Sequence, residues 1–150
     1  MKRLGAAIAL ISLSFGQSAQ AQGCLDGQTL TAARLHEFEA MMMAVSLRCR
    51  AIGVDISAGY EAMGATHRPA FAAAGRHLRT FFADVPHAYD AYATRLGNRY
   101  GGGATDPAHC RSFDAVARNL AAAPGVAALG KVVFAMVTEP RISGATCQKP

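Results

Sequence analysis

The sequence LHEFE, residues 35–39, contains side chains that can take part in chemistry. His36 and Glu39 stand three residues apart, which places them on one side of a helix, and Met43 follows seven residues after His36. Imidazole, carboxylate and thioether groups can bind a metal ion. The same pattern also occurs at a polar helix edge beside core methionines. One hypothesis is therefore a metal-binding or enzymatic helical bundle that uses His36 and Glu39.

A second candidate site combines two stretches that are distant in the sequence. The stretch SLRCR ends at residue 50, and LGNRYGGG occupies residues 96–103. Arginine binds carboxylates and phosphates through paired hydrogen bonds, and tyrosine offers an apolar ring with a polar tip. We predict a site for a partner protein or a small anionic ligand, formed by Arg48, Arg50, Asn98, Arg99 and Tyr100. The alternative for residues 96–103 is a helix end followed by a glycine loop.

Four cysteines limit how these stretches can be arranged. Cys24 and Cys49 lie near opposite ends of one predicted helix, about 30 Å apart at ~1.5 Å per residue, which is too far for a disulfide. In an up-and-down bundle, Cys110 returns to the end that holds Cys49. We therefore predict the disulfides Cys49–Cys110 and Cys24–Cys147. Arg48 and Arg50 would favour the thiolate of a free Cys49, but its place on an apolar helix face favours a structural disulfide.

The first residues have the features of an export signal. Lys2 and Arg3 precede an apolar run of about a dozen residues, and AQA at 19–21 is typical of a cleavage site. We predict a signal peptide at residues 1–21, a single helical domain at residues 22–150, and a periplasmic or secreted location. The alternative of a lipid attached to Cys24 stays open, because AQGC resembles a lipoprotein cleavage site.

Hydrophobic spacing predicts an all-α fold, a compact bundle of four to five helices with two disulfides. The first helix shows apolar residues at helical intervals: Leu35, Phe38, Met42, Val45, Cys49 and Ile52. Thr29 or Thr31 is expected to cap its start. A second segment follows Asp55, and Pro69 predicts a kink or a division into two short helices there. Asp84 is expected to cap a third helix, and Asp106 a fourth that begins at Pro107.

Charge and motifs exclude several functional classes. The net charge is +5, and it falls to +3 without Lys2 and Arg3, with no basic cluster that indicates nucleic-acid binding. After the signal peptide, no apolar segment is long enough to span a membrane. The usual nucleophile, zinc-protease and phosphate-loop motifs are absent, so we predict no catalytic residue, metal site or cofactor.

Short motifs also carry a resemblance. The stretches SLRCR and GNRYGGG, with the Tyr60 segment between them and a further cysteine after them, resemble small uncharacterised secreted helical proteins of proteobacteria. That resemblance implies helices and export, and it implies no established activity. The sequence therefore favours a non-catalytic protein that binds a partner or a small ligand.

Overall fold

Five α-helices form the part of the chain that the computed structural model describes, residues 23–147. They are α1 (Gly27–Ala51), α2 (Ser57–Phe81), α3 (Ala88–Gly101), α4 (Pro107–Ala122) and α5 (Val126–Met136). One isolated bridge, between Leu25 and Thr146, is the only β pairing in this range. The predicted all-α class is confirmed. The predicted signal peptide, residues 1–21, lies outside the described residues, as do residues 22 and 148–150.

The helix ends follow local capping chemistry, with two departures from expectation. Asp26 caps α1 by accepting the Thr29 N–H at 2.7 Å, so the prediction of a threonine cap was wrong. Asp106 caps α4 as predicted. Asp84 does not cap α3, because residues 82–87 form consecutive turns and His87 adopts a left-handed conformation with φ 60°. Helical backbone therefore begins only at Ala88.

α2 continues through Pro69 as one helix of 25 residues. Of the two predicted outcomes, a kink or a division into two helices, the division therefore does not occur. Proline removes one hydrogen-bond donor from a helix interior. Buried side chains on both sides compensate for this loss, among them Met63, His67 and Phe71. The His67 imidazole contacts the Leu120 carbonyl at 2.9 Å, which fixes α2 against α4 near the proline.

α1 lies at the centre of the bundle and packs against each of the other four helices. α2 lies antiparallel to it and also packs on α4, while α3 packs on another side of α1. One core cluster is centred on Phe38 and Met42, and a second contains Leu78, Tyr92 and Leu96. α2 and α3 make few contacts with each other, which leaves part of α1 uncovered between them.

Two disulfides join distant parts of the chain. Cys49, near the end of α1, pairs with Cys110 in the first turn of α4, and Cys24 pairs with Cys147. Both predicted pairings are confirmed, and no cysteine in residues 23–147 is free. Because Cys49 is bonded to Cys110, the disulfide interpretation of Cys49 is correct and the reactive-thiol alternative is not.

The chain that follows α5 returns across α1. Arg34 donates hydrogen bonds to the carbonyls of Val137 and Thr138. Further along, the Leu25 N–H donates to the Ala145 carbonyl, next to the Cys24–Cys147 disulfide. Residues 137–147, which we call the C-terminal segment, are therefore fixed to α1 and to the residues that precede it.

Within residues 23–147, none of the helices combines the length and apolar character that crossing a bilayer requires. The two disulfides are compatible with an oxidising, extracytoplasmic location.

Candidate ligand-binding groove

The uncovered part of α1 forms the floor of an open groove, with α2 along one side and α3 along the other. His36 and Glu39 lie at the centre of this floor, and both side chains are half-buried. Two cavities meet there, one of about 350 Å³ between α1 and α2 and one of about 260 Å³ between α1 and α3. His36 and Glu39 line both cavities, so the two form neighbouring parts of one groove.

Small residues on the two walls keep the groove open. Gly64 and Gly75 lie on the α2 side, and Ala93 and Gly97 lie on the α3 side. A Cβ atom added at Gly64 or Gly97 would meet no heavy atom within 4 Å. The first atom of a side chain at either position would therefore point into open space.

The first cavity, which we call the polar section, contains two guanidinium groups. Arg68 and Arg79 both project from α2. Arg79 lies over the ring of Tyr89, 5.3 Å from its centroid, and donates to its hydroxyl at 3.3 Å. This contact joins α2 to α3 at one end of the groove. Neither arginine forms an ion pair with a carboxylate of the described residues.

His36 is held in the polar section by aromatic neighbours. Its ring lies 5.8 Å from the ring of Tyr89 and 5.8 Å from the ring of Tyr92. Burial, together with the nearby charge of Arg79, lowers the pKa of His36 below its usual 6.5. The imidazole is therefore neutral at pH 7, so one ring nitrogen can donate a hydrogen bond and the other can accept one.

The carboxyl group of Glu39 has no hydrogen bond or ion pair with any residue in the range 23–147. Burial raises the pKa of its carboxyl group above the usual 4.5. Burial and then the charge of Glu39 also raise the pKa of Tyr60, which lies across the second cavity. Both oxygens of Glu39 thus remain available to a bound molecule.

The two residues of the metal-binding hypothesis are therefore brought together in a concave site. Met43 lines the second cavity, close to both of them. No group of three histidine, cysteine, aspartate or glutamate side chains in residues 23–147 is placed to hold a metal ion. The structure supplies His36 and Glu39 as a pair, without a third such ligand nearby.

The predicted arginine site has a different character. Arg48 donates to the Gly102 carbonyl at 2.6 Å, so the ends of α1 and α3 are adjacent, as expected. Arg50, Asn98 and Arg99 are exposed to solvent. The Tyr100 hydroxyl donates a hydrogen bond to a carboxylate. Arg48 and Tyr100, two of the five predicted residues, therefore form hydrogen bonds within the protein. Ligand binding at this end of the bundle stays a prediction.

That carboxylate belongs to Glu37, which is 1% exposed and was not among the predicted residues. One of its oxygens accepts the Tyr100 hydroxyl at 2.6 Å, and the other accepts the Arg141 backbone N–H at 2.6 Å. Helical spacing could have identified Glu37 as a buried residue, because Ala33 and Met41 stand four residues before and after it. Those residues are buried, and a side chain four residues away on a helix shares their face.

Comparison with known proteins found no matching family model, no matching curated protein and no matching solved structure.

Proposed function

We propose that this chain is an exported, non-catalytic binding protein that holds a small anionic organic molecule in the groove between α2 and α3. The observation that carries this proposal is the pair Arg68 and Arg79. Both line the polar section, and neither has a carboxylate partner among the described residues. Two guanidiniums in one concave site attract a carboxylate or phosphate group.

The neighbouring groups support an anion in the same place. A neutral His36 can donate one hydrogen bond without adding a charge that the protein would have to desolvate. The hydroxyl and ring of Tyr89 hold Arg79 in position, which lowers the conformational entropy that binding would otherwise remove. Cavity volumes of about 350 and 260 Å³ fit a small molecule better than a macromolecule.

Export is supported by two independent features. The signal-like residues 1–21 come from the sequence, and the two disulfides come from the fold. Disulfides persist mainly in oxidising compartments such as the periplasm or the extracellular space. A binding protein in such a compartment meets small molecules outside the cytoplasm.

Nuclear magnetic resonance titration with sodium acetate and with inorganic phosphate, at constant ionic strength, tests the proposal. We expect saturable amide shifts in the Gly64–Arg79 stretch of α2 and around Tyr89 with at least one of these anions. The double variant Arg68→Gln/Arg79→Gln should weaken that binding by about tenfold or more. Arg50→Gln/Arg99→Gln is the matched control, because it removes two exposed guanidiniums from the other predicted site.

Two results would contradict the proposal. Binding that is lost in Arg50→Gln/Arg99→Gln and kept in the α2 double variant would place the ligand at the ends of α1 and α3. Absence of saturable shifts with both anions and with longer carboxylates would remove the groove as an anion site.

A second candidate function is metal or acid–base chemistry at His36 and Glu39. The observation that favours it is that both residues share one groove, where burial lowers the pKa of His36 and raises that of Glu39. Shifted pKa values in a concave site are frequent at catalytic centres. Elemental analysis of protein purified without chelators separates the two functions. One metal ion per chain that is lost in His36→Ala would replace the binding proposal.

A further inference from the structure

We infer that the ligand of the groove is an amphipathic monocarboxylate, with its carboxylate in the polar section and an unbranched apolar chain in the second cavity. This inference rests on the proposed function, because it assumes that the groove binds an anion. It adds the chemical class and the orientation of the molecule. Three observations support it: the change in polarity along the floor of the groove, the composition of the second cavity, and the location of both arginines at one end.

The floor changes in polarity along α1. Helical spacing along α1 places His36 and Glu39 first, and then Met43 and Leu47, on one side of the helix. The first three of these line the second cavity. The first two are ionisable and half-buried, whereas Met43 is 45% and Leu47 is 51% exposed. An apolar strip therefore begins where the polar section ends, and it remains open to solvent. A ligand that covered both would have one polar end and one apolar end.

The second cavity, which we call the apolar section, has the matching composition. Beyond the shared His36 and Glu39, it is lined by Ala40, Met43, Tyr60, Ala93 and Gly97. Tyr60 is the only further polar side chain in that set. Methionine adapts its shape to flexible apolar molecules, and alanine and glycine leave space beside it. A flexible unbranched chain can follow such a surface and fill a cavity of about 260 Å³.

Charge favours one carboxylate over two. Arg68 and Arg79 lie only in the polar section, where they can neutralise an anionic head group. The apolar section offers no arginine or lysine to offset the charge of Glu39, which lines both sections, whereas the polar section has two guanidiniums against that one carboxylate. A second carboxylate at the far end of the chain would lose water there without gaining a cationic partner. The groove should therefore bind a monocarboxylate more tightly than a dicarboxylate of the same length.

The test is a series of carboxylates of increasing length: acetate, butyrate, hexanoate and octanoate, titrated below the concentrations at which they form micelles. A fully buried methylene improves affinity about fourfold, so we expect octanoate to bind at least about tenfold more tightly than butyrate. Octanedioate should bind more weakly than octanoate. Octanol should also bind more weakly, because it lacks the charge that Arg68 and Arg79 attract.

Two glycine substitutions locate the chain within the groove. Gly97→Leu fills the apolar section and should remove the dependence on chain length while acetate affinity is kept. Gly64→Leu fills the polar section and should weaken acetate and octanoate alike. Gly130→Leu in α5 is the matched control, since it also adds a side chain in open space but lines neither cavity. It should leave the whole series unchanged.

The outcomes separate this inference from the proposed function. If acetate binds but affinity stays flat from acetate to octanoate, the amphipathic ligand is wrong and the anion site remains. The same conclusion follows if Gly97→Leu leaves the preference for octanoate intact, because the chain would then lie elsewhere. If neither acetate nor octanoate binds, both the inference and the anion-binding function are wrong.

Discussion

Glu37 and Glu39 stand two residues apart on α1 and face different regions of the molecule. Glu37 points into the interior, where each carboxylate oxygen accepts one hydrogen bond, from Tyr100 and from the Arg141 backbone. Glu39 faces the groove and has no such partner among the described residues. The same residue type therefore fixes the C-terminal segment on one side of α1 and stays available on the other.

This difference shows how to separate structural from functional polar residues in a small bundle. Residue type and helical spacing drew attention to Glu39, because it shares a helix side with His36. Full burial with both oxygens paired identifies Glu37 as part of the fold. Partial burial without a partner makes Glu39 a candidate for binding, since the cost of removing a carboxyl group from water is compensated only when something else contacts it.

The largest expected effect on stability comes from removing the buried carboxylate of Glu37. Glu37→Leu keeps a similar volume but leaves the Tyr100 hydroxyl and the Arg141 N–H without their acceptor. We expect the free energy of unfolding to fall by about 3 kcal/mol, measured by urea denaturation. Hydrogen exchange of the Arg141 amide should accelerate more than exchange in α2. A loss under about 1 kcal/mol would show that Glu37 and Glu39 do not differ as described.

Tyr100→Phe sharpens the comparison by removing one of the two bonds to Glu37. The ring stays packed against the core, so only the hydroxyl and its charge-assisted hydrogen bond are lost. We expect a loss of about 1.5 kcal/mol in the free energy of unfolding, from the same urea measurement. A stable variant that instead loses anion binding would give Tyr100 the ligand-binding role that the sequence predicts.

The smallest expected effect, and one of opposite sign, belongs to Glu39→Gln. Burial raises the pKa of Glu39 in the folded state, so the folded protein favours the protonated form. The associated stabilisation is fully present below the unfolded pKa of about 4.5 and is lost as pH rises through the raised folded value. Glutamine removes this charge, and we expect it to stabilise the protein at pH 7 by on the order of 0.5 kcal/mol.

That gain should disappear below about pH 4, where Glu39 is protonated in both folded and unfolded states. Thermal unfolding of wild type and variant from about pH 3 to about pH 8 measures the difference, and the titration of His36 is common to both proteins. A variant that is less stable than wild type at pH 7 would reveal a partner for the Glu39 carboxylate. It would contradict the statement that Glu37 is paired and Glu39 is not.

The sequence predicted the fold class from apolar spacing, and it predicted both disulfides from helix length together with an up-and-down arrangement of the helices. Apolar spacing over residues 35–52 defines a central helix, and its length alone excludes a bond between Cys24 and Cys49. Helix capping was predicted at both Asp106 and Asp84, and the prediction was correct at Asp106 and wrong at Asp84. The turns before α3 depend on the left-handed backbone of His87, which side-chain type does not determine.

The sequence identified only some of the residues that line the groove. His36 and Glu39 are close in the chain, so helical spacing identified them as a pair. Arg68 and Arg79 were not among the predicted site residues, because their place beside the groove depends on the separation between α2 and α3. That separation arises from how both helices pack on α1, and no short stretch of sequence encodes it.

The two disulfides also determine what a protease could do to this protein. Cys24 and Cys49 precede all of α2 and α3, whereas their partners Cys110 and Cys147 follow them. A single peptide-bond cleavage anywhere between residues 50 and 109 would therefore yield two fragments that stay joined by both disulfides. The glycine loop at residues 102–103 lies within that span. A chain that is cleaved there would migrate as one covalent molecule on a non-reducing gel. It would separate into two fragments only after the disulfides are reduced.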